Sequence, residues 1–341
     1  MFKAVKGLLG WRVIRDDSEI EEISQYLVSL HTRGLSDQTI RSYAFDLADL
    51  HNWIYEEKKI RLSDFDKYKL HEYIRYQKRK GLKPRTINRR LVTAGCFYRF
   101  HFNCDLPSGT KYTIEKPYYK GQANPWAMGI HRRRKVISKH IRVKVAKKVI
   151  KPLTVEEVLE FFKSIRRYRD LAIVKLMLRC GLRSLEVLLI KSTDVNVLDQ
   201  EFIVRGKGDK ERKLPLPPDV ISTIQKYIYY ERPKECKSPY LFVVLKGDKK
   251  GQPLSREGLR KIFRYRRKSS GITHANPHRF RHTFAVEMVR GKVSVESLRK
   301  LMGHSDIRQT MDYVDLDMST ITQEFEAANE RLKEIYEKRR P

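Results

Sequence analysis

The sequence predicts a mainly α-helical protein with a small β-sheet or hairpin: a helical first domain followed by a mixed α+β second domain. Three observations lead there. Apolar residues recur at helical spacing along most of the 341 residues. A Gly-Leu-x-x-x-Thr-Ile pattern occurs at 34–40 and again at 81–87, each time where one helical stripe stops and another starts. Short apolar runs at 202–204 and 213–216 flank Gly206-Lys207-Gly208-Asp209, the composition of a hairpin turn.

Composition narrows the partners. Lys and Arg number 72 against 41 Asp and Glu, a net charge of +31, which points to a polyanion, nucleic acid being the commonest. No apolar run approaches the roughly 20 residues that span a bilayer, so no membrane partner is expected. The opening MFKAVKGLLGW lacks the apolar core and cleavage site of a signal peptide. Cys96, Cys104, Cys180 and Cys236 are scattered with no C-x-x-C pair, which argues against structural zinc and disulfides and fits a reducing cytoplasm. With no carboxylate cluster to hold a divalent ion, no metal, cofactor or small-molecule substrate is expected.

Residues 1–18 read as a short basic lead-in, and 19–115 as a helical, DNA-clamping domain. Ser18 and Glu21 have capping-box spacing before the stripe Ile20, Ile23, Leu27, Leu30. A second helix from Ser36 turns Ile40, Tyr43, Leu47, Leu50 and Ile54 inward, and a third carries Leu70, Tyr73, Ile74 and Gln77. A fourth starts at Pro84, a residue suited to a first helical turn, with Ile87, Leu91, Ala94 and Tyr98 inward. The repeats predict two helix–turn–helix units. Helix N-termini present free N–H groups to phosphates, which makes Arg33, Thr39, Lys80, Arg85 and Thr86 candidate DNA-binding residues. Taken alone, the repeat fits an ordinary bundle with similar turns better.

Residues 116–150 change character. Twelve Lys or Arg and no acid occur between Lys116 and Lys151, with Tyr118, Tyr119 and Trp126 interleaved and no helical period. This predicts an interdomain linker lying along DNA, with Arg132, Arg133, Arg134 and Lys135 as contacts; a solvated basic tether is the alternative. The second domain, 151–341, opens on a capped helix start at Thr154 and Glu157. Further helices are expected at 168–178, from Ser184, at about 218–230 and at about 255–268. An amphipathic helix at 319–340, capped by Thr320 and Gln323, carries Ile321, Phe325, Ala328, Leu332 and Ile335 and suits either its own domain or a neighbouring subunit.

The chemistry concentrates at 278–313. His278, Arg281 and His282 sit at i, i+3 and i+4, on one face of a helix. Leu301-Met302-Gly303-His304 brings another histidine into a turn, and Tyr313 follows nine residues later. A guanidinium, imidazoles and a phenol are the groups needed to attack a phosphodiester with a tyrosine. A zinc pair at His278 and His282 lacks the adjacent Glu of H-E-x-x-H, and Arg281 would set a cation beside the metal. Tyr313 by itself would mean little among 18 tyrosines.

Taken together, Gly181-Leu182-Arg183-x-x-Glu186, Gly206-Lys207-Gly208, His278-x-x-Arg281-His282, Gly303-His304 and Tyr313 resemble, in order and spacing, the tyrosine recombinase family of phage integrases and Xer proteins. The resemblance runs from about residue 19 onward, with Phe280 and Met302 where that family usually has Leu. It implies a catalytic set of Arg183, Lys207, His278, Arg281, His304 and Tyr313, supported by Glu186 and His282, with Lys210 a rival to Lys207 as general acid. Arg183 and Arg281 would fork onto the scissile phosphate, each lowering the barrier by roughly 3–4 kcal/mol. The activity implied is a site-specific DNA recombinase or integrase that works through a 3′-phosphotyrosine without metal or ATP, as a homo-tetramer on paired double-stranded sites. The basic linker and the tail lean toward a mobile-element integrase. A Xer-like chromosome-dimer resolvase, and a non-catalytic DNA-binding protein of the same fold, are the alternatives.

Overall fold

The segments FKAVKG and GWRVIR mix apolar and basic residues without strict alternation. The structure, a computed structural model, describes residues 1–8, 10–104, 106, 141–146, 151–206, 211–303 and 310, and the backbone of 111–118 and 131–138. The two segments pair as β1 (Phe2–Gly7) and β2 (Gly10–Arg15), antiparallel from Phe2↔Arg15 to Gly7↔Gly10, and β3 (Ser18–Glu19) joins the far side of β2. The short basic lead-in at 1–18 thus forms most of a three-stranded sheet. Phe2 and Val13 are buried, and the Asn52 side chain bonds both the N–H and the carbonyl of Phe2, at 2.7 and 2.8 Å. The expected Ser18–Glu21 capping box is absent for the same reason. Ser18 pairs with Arg15 in the ladder, and α1 (Glu21–Thr32) starts after Ile20 with no side-chain cap.

The helical repeat is real down to its hydrogen bonds. After α1, Gly34 N–H bonds the His31 carbonyl and Leu35 N–H bonds the Leu30 carbonyl. After α3 (Lys67–Arg79), Gly81 N–H bonds Lys78 and Leu82 N–H bonds Gln77. Both ends are Schellman motifs, with the glycines at φ of 75° and 72°. Each motif feeds the next helix, α2 (Asp37–His51) or α4 (Pro84–Phe102). Ser36 caps the first of these by accepting from Thr39 N–H; Pro84 opens the second. The second helix does not run on as an α-helix to Ile54. Residues Asn52–Lys58 form a π-helical turn, which still buries Trp53 and Ile54. Leu27, Leu47, Tyr73, Ile87 and Phe97 close the core.

Between these helices and the second half, the segment expected to be an irregular linker contains an eight-residue antiparallel ladder. β4 (Lys111–Tyr118) pairs with β5 (His131–Ser138) from Lys111↔Ser138 to Tyr118↔His131. The dense basic residues hid the strands, because charge masks the two-residue period that marks a ribbon. The chain divides into two compact units, Met1–Lys147 and Lys148–Pro341, so the ladder belongs with the first.

In the second unit Thr154 and Glu157 form the expected capping box at the start of α5 (Val155–Lys163). The apolar helix α6 (Tyr168–Arg179) packs between α8 (Pro218–Tyr230) and α10 (Pro277–Arg290). The short α7 (Ser184–Leu189) follows the turn at Gly181. A three-stranded antiparallel sheet, β6 (Val195–Asn196), β7 (Glu201–Arg205) and β8 (Glu211–Pro215), contains the expected hairpin. Its turn residues 207–210 lie outside the described residues, as do His304, Tyr313 and the segment 319–340. α9 (Arg256–Ser270) and α11 (Val295–Met302) complete the described helices, each capped by a serine, Ser255 and Ser294. Among the described residues no helix is long and apolar enough to cross a membrane.

Candidate active site

Asn276 caps α10 by accepting the Arg279 N–H at 3.1 Å, and this fixes the start of the helix that carries His278, Arg281 and His282. Arg281 and His282 are buried, at 2% and 4% exposure, while His278 stays exposed. Arg281 reaches across to the Gly181 turn, donating to the Gly181 carbonyl at 2.5 Å and to the Met302 carbonyl at 2.6 Å. Both acceptors exist because of tight turns. A Cβ at Gly181 would sit 2.4 Å from the Phe284 ring, and one at Gly303 would meet the Arg212 guanidinium at 2.7 Å.

Glu186 is the pivot of the site. One turn into α7, its Oε2 accepts the Arg183 backbone N–H at 2.8 Å and its Oε1 accepts the Arg183 guanidinium at 2.9 Å. Arg212 of β8 donates to both carboxylate oxygens at 3.1 Å, and Arg281 comes within 3.6 Å. Burial alone would raise the Glu186 pKa. The hydrogen bonds from Arg212 and from Arg183 N–H, with the charges of Arg212 and Arg281, outweigh it and hold the carboxyl below the ordinary range. The group is thus a fixed anion that aims three cations. Arg183 also donates to the carbonyls of Met302 and Gly303, at 3.2 and 3.4 Å, and keeps 41% of its side chain exposed.

Arg212 was not among the residues singled out from the sequence. Its signal emerges only once the strands are paired. On β8 it shares a face with the buried Leu214, and it lies opposite the buried Val204. A charged residue in register with inward-facing ones is expected to have a buried partner.

The exposed side of this cluster opens into a cleft of about 650 Å3. His278, Arg183 and Arg281 line one wall, and Arg256, Arg260, Arg264 and Arg267 of α9 contribute to another. Partial desolvation and the neighbouring cations Arg281, Arg183 and Arg279 lower the His278 pKa, so its imidazole is neutral at physiological pH. Of the expected catalytic set, Arg183, His278 and Arg281 are brought together here. Lys207, His304 and Tyr313 lie outside the described residues; β7 and β8 flank the position of the first, and Gly303 precedes the second. His282 is buried in α10, beside Arg281 in sequence and on the same helical face as His278.

The candidate DNA-contacting residues of the first unit gather at the two repeated turns. Arg33 and Lys80 occupy equivalent C-cap positions, both exposed, and the Lys80 ammonium is hydrogen-bonded to the Tyr76 hydroxyl. Thr39 and Thr86 stand in the first turns of α2 and α4, with Arg85 exposed beside the latter. Arg132, Arg133, Arg134 and Lys135 are consecutive in β5, where alternation places them on opposite faces.

Comparison with known proteins supplies the class. The family model described as the phage integrase family matches residues 148–320, and that of its N-terminal SAM-like domain matches 23–103. A tyrosine recombinase of Agathobacter rectalis is 27% identical over 307 residues, covering 87% of this chain and 92% of its own. The tyrosine recombinase XerC of Leptospira interrogans is 25% identical over 318 residues, covering 91% and 89%. A solved XerH site-specific recombinase, bound to palindromic difH substrate in a post-cleavage complex, shares the fold with a TM-score of 0.63 at 20% identity, over 85% of this chain and 80% of that one. The fold is that of a tyrosine-type site-specific recombinase. The chain belongs to the phage integrase family.

Proposed function

We propose that the chain cuts and rejoins double-stranded DNA by transient covalent attachment to Tyr313. The phenolic oxygen attacks the scissile phosphorus, a 3′-phosphotyrosine forms, and the 5′ oxygen leaves. Attack by a second DNA's 5′-hydroxyl then reverses the step, conserving the bond energy without ATP. The observation that carries this reading is the arginine cluster around Glu186, at the mouth of a basic cleft that His278 also lines. Arg183 and Arg281 are the phosphate donors, and Glu186 and Arg212 keep them aimed. Preorganised donors of this kind act where charge develops, each worth roughly 3–4 kcal/mol of barrier.

His278, held neutral, accepts or orients the tyrosine proton, whose ordinary pKa of about 10 otherwise opposes attack. Lys207 protonates the leaving oxygen, and His304 hydrogen-bonds the phosphate. His282 supports this constellation from within α10. In the first unit, Arg33, Thr39, Lys80, Arg85 and Thr86 grip the backbone near the repeated turns. The enzyme works in the cytoplasm as a homo-tetramer on two paired sites, with the segment 319–340 as the contact between subunits. Integration of a mobile element is the role favoured by the basic segment between the domains; the Xer names of relatives favour resolution of chromosome dimers.

The test is incubation with sheared, nicked genomic DNA in EDTA, followed by a denaturing gel. A covalent protein–DNA band forms and is lost in Tyr313→Phe. A band that requires magnesium, or one that survives that substitution, overturns the mechanism.

A further inference from the structure

The family models match residues 23–103 and 148–320, and the β4–β5 ladder falls wholly in the interval that neither covers. Its two feet are fixed to the helical unit. Leu106 is buried in the core ahead of β4. Beyond β5, Ile141 and Val143 pack on the same core, and the Asn88 side chain of α4 bonds Val143 at both its N–H, 2.8 Å, and its carbonyl, 2.9 Å. A mere tether needs no such anchorage; an element with work to do at a set place does.

The register sorts the ribbon into two unlike faces, because alternate residues share a side. On one, Lys116 stands directly opposite Arg133, with Lys135 two residues along and the Tyr118–His131 pair beyond. That face has no acid. Like charges directly opposed weaken a ladder, so this arrangement costs stability unless an anion lies across it. The other face holds Glu115 opposite Arg134, a pairing of opposite charges, with Lys111 and Arg132 elsewhere along it.

We propose that the β4–β5 ribbon is a separate duplex-DNA contact, which lays its Lys116–Arg133–Lys135 face along the sugar-phosphate backbone. The proposal rests on the reading of the chain as a DNA strand transferase. Dimensions agree. Eight residues at about 3.4 Å each make a ribbon of roughly 24–27 Å, long enough to follow the backbone over most of a duplex turn of about 34 Å. Of the four consecutive basic residues 132–135, the proposal selects Arg133 and Lys135 and adds Lys116, 17 positions upstream of Arg133.

The experiment uses the full chain and a fluorescein-labelled mixed-sequence duplex of about 40 bp, with binding followed by anisotropy between about 50 and 200 mM KCl. One variant carries Lys116→Gln, Arg133→Gln and Lys135→Gln; its control, Lys111→Gln, Arg132→Gln and Arg134→Gln, removes equal charge from the other face. Losing three phosphate contacts lowers the log–log salt slope by about 2.7, so the loss of affinity across that salt range becomes about forty-fold smaller than in the unsubstituted chain. Arg133→Gln alone lowers the slope by about 0.9, which guards against misfolding of the triple variant. The control shifts the slope by less than one.

Equal slope changes in both triple variants, or none in the first, overturn the proposal. So does a first variant that keeps duplex binding but loses binding to a single-stranded RNA of the same length. Duplex binding by the unsubstituted chain that ignores salt, with no Tyr313-dependent adduct, sinks the strand-transferase reading instead.

Discussion

At the scale of single residues, the three arginines of the site are held by one buried carboxylate. Glu186→Ala leaves Arg212 and the buried Arg281 without their common counter-charge. Breaking such a cluster from one side costs about 3–5 kcal/mol, read as a fall in the urea midpoint of the second unit, and adduct formation falls with it. His278 gives a pH signature. Its pKa is lowered, so the neutral form needed to accept a proton persists below the ordinary value of about 6.5 and is lost only as pH drops further. The rate of adduct formation therefore holds as pH falls to about 6.5 and declines below it, and in His278→Gln that acid limb disappears along with most of the rate. That His278, Arg281 and His282 share a face was legible from spacing alone, since i, i+3 and i+4 positions on a helix must do so; Arg183, at the start of α7, was singled out only through the resemblance carried by Gly181-Leu182-Arg183. Arg212 was not, because its role comes from strand register against Val204, and register is invisible until the partner strand is known.

Among the elements, the helices of both units announce themselves through long apolar stripes, caps and the duplicated Schellman turns. The two sheets of the first unit do not. β1 and β2 are six residues each, and β4 and β5 carry charge on both faces, so neither pair offers the long periodic signal that a helix gives. What fixes the first sheet is tertiary: Asn52, in the π-helical turn, bonds Phe2 at both backbone groups. Asn52→Ala removes both bonds and leaves partly buried backbone groups unpaired, a loss of about 1–3 kcal/mol that circular dichroism melts can measure. Deleting residues 1–19 goes further, since it strips Phe2 and Val13 from the core of the first unit, and soluble yield falls accordingly.

For the molecule as a whole, the two units have separate cores and different sensitivities. Acid attacks the first through His51. Burial pushes its pKa down to about 4, and its ring bonds the Leu47 carbonyl at 2.8 Å. The unfolded chain therefore binds a proton that the folded one refuses. Stability is complete above about pH 6.5 and is lost as pH falls from there toward 4, by about 3 kcal/mol at most. All three tryptophans, Trp11, Trp53 and Trp126, precede residue 148, so their fluorescence reports the first unit alone. Urea titrations at pH 7.5 and 4.5 show the midpoint falling, and the fall is smaller in His51→Leu. The helix-rich character was readable in advance because it follows from composition and period. What joined the site was not, since Gly181, Glu186, Arg212, Arg281 and Met302 meet only after folding.

The guanidinium cluster carries an electrostatic remainder. Three cations share one anion, which leaves two positive charges over. A resting phosphodiester, with a single negative charge, cancels only half of that surplus. A five-coordinate phosphorane bearing two would cancel all of it, so the pocket is closer to neutrality with the fleeting species than with the DNA it first meets.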